Sequence, residues 1–132
     1  MVALIVTAWL WPSGASPQVA SAATTVTVPP VADAWVDSSA PSANFGTNNR
    51  LKVMAASRRF ESFMRFSVSG VGAVSSARLR LFVADGSTDG GTVHLSIGPW
   101  SEGGVIWSNR PATGMLVGSL GAAVSKTWIE VD

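Results

Sequence analysis

The sequence predicts an all-β fold, an antiparallel β-sandwich of jelly-roll type, and three observations carry that expectation. From Thr24 onward no stretch keeps a helical period. The apolar residues instead alternate or cluster in short segments, and Gly, Pro, Asn and Ser cut those segments apart. With 13 glycines and 7 prolines in 132 residues, turn chemistry is abundant enough to join many short strands.

Taken in order, Thr25 to Val28 alternates and stops at Pro29-Pro30, and a second strand covers Ala32 to Asp37 before Ser38, Ser39 and Pro41. After a loop from Pro41 to Asn49, rich in Asn, Gly, Ser and Thr, strands are expected at Leu51 to Ala55 and Ser62 to Val68. Ala77 to Val83 alternates most clearly: Ala77, Leu79, Leu81 and Val83 face one way, and Arg78, Arg80 and Phe82 the other. Asp85 to Gly91 makes a turn. Short strands follow at Thr92 to Ile97, Val105 to Trp107, Met115 to Leu120 and Trp128 to Val131. Nine short strands with turns between them suit a sandwich or jelly roll.

Composition removes several classes of function. Nine Lys plus Arg against eight Asp plus Glu leave a net charge of +1, too balanced overall for a general nucleic-acid binder, so nucleic acid is not an expected partner. Without cysteine there is no disulfide framework, thiolate metal site or cysteine nucleophile. The single histidine, His94, would have to serve any Ser-His-Asp triad alone, and a histidine-based metal site would need a second. The apolar content of 47% argues against a disordered chain.

Part of that apolar content belongs to a leader. The first 32 residues carry no charged side chain, and Val2 to Trp11 is an apolar run shorter than the roughly 20 residues of a membrane span. With Ala20-Ser21-Ala22 as a small-x-small cleavage pattern, residues 1–23 read as a secretory signal peptide and 24–132 as one mature domain, secreted and without a membrane span. No Lys or Arg follows Met1, so the positive start of such a leader is missing; a start site further upstream is one reading, a buried N-terminal helix the other.

Five segments in fixed order carry a family resemblance: Ala32-Asp33-Ala34-Trp35-Val36-Asp37, then Asn44-Phe45-Gly46 with Leu51-Lys52-Val53, and Phe63-Met64-Arg65-Phe66. Ser76 to Val83 follows, and last Trp100-Ser101-Glu102 with Ile106 to Pro111. Together they resemble the DNRLRE-type domains, also classed as family 96 carbohydrate-binding modules, over residues 32 to 112. The resemblance implies a secreted jelly roll attached to polysaccharide-active enzymes or large surface proteins, with alginate among the described ligands. It also implies further strands beyond Asp132, so the chain is expected to be a fragment of a longer protein with other domains.

Strand parity then selects candidate contact residues. Asp33, Trp35 and Asp37 share one face and Ala32, Ala34 and Val36 the other; the first set offers a flat ring flanked by hydrogen-bond acceptors, which suits a sugar. The same Trp35 would equally serve as packing against a second layer. Phe63 and Arg65 share a face, as do Arg78, Arg80 and Phe82. If those two strands are neighbours, one face carries three arginines between two rings, suited by bidentate geometry to the carboxylates of an anionic polysaccharide. The alternative is solvated arginines whose stems cover apolar surface.

Trp100, Trp107 and Asn109-Arg110-Pro111 read as structural. Asp85 to Gly90 begins like a calcium loop but has Ser96 where the bidentate Glu would stand; it reads as a hairpin turn. No cofactor is expected, and a structural calcium near Asp33 or Asp37 stays unassigned. No carboxylate pair stands out for glycoside cleavage. The expected function is therefore non-catalytic polysaccharide binding. An adhesive or structural module without a sugar site, and a polysaccharide-cleaving enzyme, are the other readings.

Overall fold

Alternating segments become strands where a partner of matching pattern is available, and the computed structural model, which describes residues 24–132, contains seven of them there. The expected leader, residues 1–23, lies outside the described residues. The strands are β1 (Pro30–Asp37), β2 (Met54–Ala55), β3 (Arg59–Phe66), β4 (Leu79–Phe82), β5 (Thr92–Ile97), β6 (Ala112–Ser119) and β7 (Trp128–Val131). They pair in the orders β1-β3-β2, β4-β7 and β5-β6, and every pairing is antiparallel. The class is all-β, as the alternation predicts, and the layout is consistent with a β-sandwich. Among the described residues no helix is long and apolar enough to cross a membrane.

Two expected strands do not form. Thr25 to Val28 has no ladder partner, and the first strand begins only at Pro30. Val105 to Trp107 gives way to a 3-10 turn over Trp107–Asn109, because the Asn109 side chain competes with any ladder: its Oδ1 accepts from the Ile106 N–H at 2.8 Å, and its Nδ2 donates to the Gly104 carbonyl at 3.0 Å. A third correction concerns pairing. Strands β3 and β4 are not neighbours, since β4 pairs with β7 and β3 lies between β1 and β2. The face with three arginines therefore does not assemble.

The main core lies under β1. Ala34, Val36 and Val105 are buried together, with Phe63, Trp100 and Trp107 packed against them. Both faces of β1 are covered, which the alternation does not reveal. The covering segment is the loop between β1 and β2: Asn44 Nδ2 donates to the carbonyls of Glu102 and Val105, each at 2.7 Å, and the Gly46 N–H donates to Asn44 Oδ1 at 3.2 Å. Ser108 donates twice to the Pro41 carbonyl, from its N–H at 3.1 Å and its hydroxyl at 3.0 Å. On the outer edge of β1, the Asp33 N–H donates to the Glu102 carboxylate at 3.3 Å. Two of the five segments that carry the family resemblance are thus the two halves of one clasp around an edge strand.

A second packed region joins β4, β7 and the segment between β6 and β7. Val83, Ala123 and Val131 are buried there, and Leu79, Leu81 and Ile129 are half-buried. Backbone bonds between Ser87 and Ala123, both at 2.8 Å, hold the Asp85 to Gly91 turn against it. Asp89 Oδ1 accepts from the Gly91 N–H at 2.9 Å, so this carboxylate serves the turn.

Candidate functional site

The eight residues selected from strand parity end in three different places. Asp33, Trp35 and Asp37 do share a face, but that face is closed. Trp35 is 4% exposed, stacked on Phe45 at 3.9 Å between centroids with the planes 12° apart, and met edge-on by Phe60 at 5.3 Å. Lys52 Nζ lies 4.4 Å from its ring centroid. An indole enclosed on both faces offers no platform, so the expected Asp-Trp-Asp sugar face is replaced by packing. The physical reason is the Asn44-Phe45-Gly46 loop, which folds over it from outside the strand.

Asp37 is fully buried, and both its oxygens are occupied. Oδ1 accepts from Arg58 Nε at 3.0 Å and from the Ser39 N–H at 2.8 Å, while Oδ2 takes Arg58 Nη2. Hydrogen bonding from Arg58 outweighs the opposing effect of burial and, with the Ser39 amide and the charges of Arg58 and Lys52, holds this carboxyl below the ordinary value of 3.8. A depressed folded-state pKa stabilises the fold above the unfolded value, and that stability is lost as pH falls below about 3.8 toward the folded value. Urea unfolding across pH 7 to about 2.5 is expected to show this loss in the wild type. Asp37→Asn should be less stable at neutral pH and flatter in acid; parallel profiles for the two proteins would refute the assignment.

Phe63 turns inward to the core, its ring 5.9 Å from that of Trp100. Arg65, on the same strand face, spans the Trp100 ring at 5.4 Å and donates from Nη1 to the Trp100 carbonyl at 2.9 Å. Beside it a shallow hollow of about 270 Å³ is lined by Pro99, Trp100, Ser101, Gly104, Val105 and Asn109.

The third group stays in the open. On β4 and β7 the cross-strand partners are Phe82 with Trp128, Arg80 with Glu130, Leu81 with Ile129 and Leu79 with Val131. The apolar pairs turn inward. The outward face is a ladder of an aromatic rung and a charged rung, extended by Arg78 and Asp132 beyond the strand ends. Phe82 and Trp128 are each 55% exposed, their rings 5.3 Å apart at 64°. The Arg80 guanidinium lies 4.6 Å from the Trp128 ring centroid and its Nε 3.3 Å from Glu130 Oε1. Arg78 Nε lies 2.5 Å from Asp132 Oδ1, with Nη1 3.5 Å from Glu130 Oε2.

The turn before β7 fixes this face. The Val83 N–H donates to the Thr127 carbonyl at 2.9 Å and Lys126 N–H to the Val83 carbonyl at 2.7 Å, which locks Trp128 opposite Phe82. Parity found Arg78, Arg80 and Phe82 but missed Trp128, Glu130 and Asp132. The same rule applied to the last strand, where Trp128, Glu130 and Asp132 alternate with Ile129 and Val131, would have found them.

Among the described residues no three His, Cys, Asp or Glu side chains converge on a point where a metal ion could sit. His94 lies exposed on β5, with Nδ1 3.1 Å from the Gly114 carbonyl and Nε2 3.1 Å from Thr92 Oγ1. The outward face of β4 and β7 thus sets an open aromatic rung beside paired guanidinium and carboxylate groups. The sequence profile of carbohydrate-binding module family 96 matches residues 24–132, and the chain belongs to that family. No curated protein matches the sequence.

Proposed function

We propose that this carbohydrate-binding module holds polysaccharide on the outward face of β4 and β7. The observation that carries the reading is the exposed Trp128–Phe82 rung with Arg80 beside it. A pyranose ring presents an apolar face of C–H groups, which suits an open indole, and hydroxyls at its rim, which suit guanidinium donors and carboxylate acceptors. Exposed ion pairs are weak, so Arg78 and Arg80 are able to exchange Glu130 and Asp132 for the hydroxyls or carboxylates of a ligand. Arg65, stacked over Trp100, is a further guanidinium for the same chemistry. Of the other residues chosen by parity, Asp33, Trp35, Asp37 and Phe63 support the fold.

In this reading the domain is exported by residues 1–23 and acts outside the cell, as one part of a longer protein that brings enzymatic or adhesive domains to the polymer. Affinity of a single shallow face is modest, and several copies on one chain strengthen it through effective concentration. Affinity gel electrophoresis of residues 24–132 with alginate, pectin, cellulose and xylan, with and without chelator, tests the proposal. Retardation by at least one polymer is expected, with the uronates retained most and less so in salt. A folded domain that no polymer retards would overturn it in favour of a structural or adhesive module, and loss of retardation with chelator would reveal a bound metal.

A further inference from the structure

The net charge of +1 conceals a strong segregation. Four of the nine basic residues, Arg50, Lys52, Arg58 and Arg59, fall within ten positions, and no acidic residue occurs from Ser38 to Phe60. These residues form and flank the β2–β3 hairpin, where Met54 faces Phe60 and Ala55 faces Arg59. All four are exposed. Arg58 is engaged by Asp37, but among the described residues no carboxylate pairs with Arg50, Lys52 or Arg59. On the β4–β7 face, by contrast, Arg78 and Arg80 are matched by Glu130 and Asp132, so that face has aromatic surface but no net charge.

Two of the hairpin cations, Lys52 and Arg58, have their head groups held against aromatic rings, and the backbone is pinned at Lys52 and Arg59. Ser62 Oγ accepts from the Lys52 N–H at 3.0 Å and donates to its carbonyl at 2.7 Å, fixing the backbone at Lys52. The ammonium rests over Trp35 at 4.4 Å and Phe60 at 5.7 Å, and the Arg58 guanidinium over Phe60 at 4.8 Å. The Arg59 backbone is tied to Ser38 through its N–H at 2.9 Å and its carbonyl at 3.0 Å. Charges fixed before binding lose less freedom when a ligand arrives.

From this placement we propose that the β2–β3 hairpin is a second, charge-reading surface that takes the carboxylates of an anionic polysaccharide. The proposal rests on the polysaccharide reading above and divides its labour: aromatic contact on β4–β7, charge on the hairpin. Three unpaired cations suit a polymer with about one carboxylate per sugar residue. Duplex DNA, with a charge every ~1.7 Å of its axis, is gripped by surfaces that neutralise many more phosphates.

The test compares the wild type with Arg50→Gln/Lys52→Gln/Arg59→Gln, which leaves the Arg58–Asp37 pair intact, in affinity electrophoresis at low and high salt. The gels contain polygalacturonate or hydroxyethyl cellulose, and a DNA duplex is titrated in parallel. The wild type is expected to bind polygalacturonate with an affinity that falls with salt. The triple variant should lose about tenfold of that affinity at low salt and show a markedly shallower salt dependence, with retention by the neutral polymer unchanged. A variant with an unshifted melting temperature that keeps the wild-type salt response would overturn the proposal while leaving the aromatic site standing. Tighter binding of the wild type to DNA than to polygalacturonate at equal salt would overturn it too. Failure of every polymer to retard the wild type would instead remove the polysaccharide reading itself.

Discussion

Replacing Trp128 with alanine is expected to weaken polysaccharide binding about ten- to a hundredfold, equivalent to roughly 1.4 to 2.7 kcal/mol. The ring is 55% exposed and opposes Phe82 across β4 and β7, so its free face is available to a sugar rather than committed to the core. Removing it deletes the stacking surface and the Arg80 cation–π contact at 4.6 Å together. The inward Leu79, Leu81, Ile129 and Val131 packing is left in place, and the melting temperature should move by only a few degrees. Trp128→Phe, which keeps a flat ring, should retain most of the affinity. Titration of both variants with the polymer that retards the wild type best decides the matter, and unchanged affinity of the alanine variant would move the site off this face.

The largest loss of stability is expected from a single methyl group. A Cβ added at Gly46 would press on the Glu102 carbonyl group, 2.8 Å from its carbon, and lie 2.9 Å from Glu102 Cγ; the obstruction is chiefly backbone, and the Asn44 amide is bonded to that same carbonyl. Either the loop lifts, uncovering Trp35 and breaking the Asn44 bonds, or the strain is absorbed within the clasp. Overpacking of this kind costs about 3 kcal/mol, or roughly 15 °C in melting temperature for a domain of this size. Gly103 is the matched control, because a Cβ there meets nothing within 4 Å. Thermal unfolding of Gly46→Ala and Gly103→Ala side by side checks the claim. Equal melting temperatures would show that the loop is not pressed onto β1.

These cases also mark how far local pattern reaches. The bounds of β5 coincide with its alternating segment because Gly90-Gly91 and Gly98-Pro99 stand at its ends, and β7 starts where the turn at Ser125 and Lys126 stops. The inward Leu79 and Leu81 against outward Arg80 and Phe82 follow from the pleat alone. What alternation does not contain is the partner. Nothing between Ser67 and Arg78 says that β4 will meet a strand from the other end of the chain rather than β3, and so the arginines of the two strands were expected side by side. Trp35 failed for a related reason: Asp33 and Asp37 make its face look solvent-directed, yet Arg58, 21 positions further on, neutralises Asp37, and Phe45 closes over the ring. Trp128 follows from the same parity in the last strand, where Trp128, Glu130 and Asp132 alternate with the inward Ile129 and Val131. Its chemistry was legible there.

The engagement of Glu102 with the outer edge of β1 has a consequence for how copies of this domain coexist. An unprotected edge strand is a template onto which another polypeptide can add its own hydrogen bonds. Here a newcomer would have to expel a carboxylate from the Asp33 amide and peel away a loop that Asn44 fastens at two carbonyls. The newcomer's backbone would also approach a negative charge. Crowded on one scaffold or along one polymer strand, such domains can sit shoulder to shoulder at that flank without zipping into a common sheet.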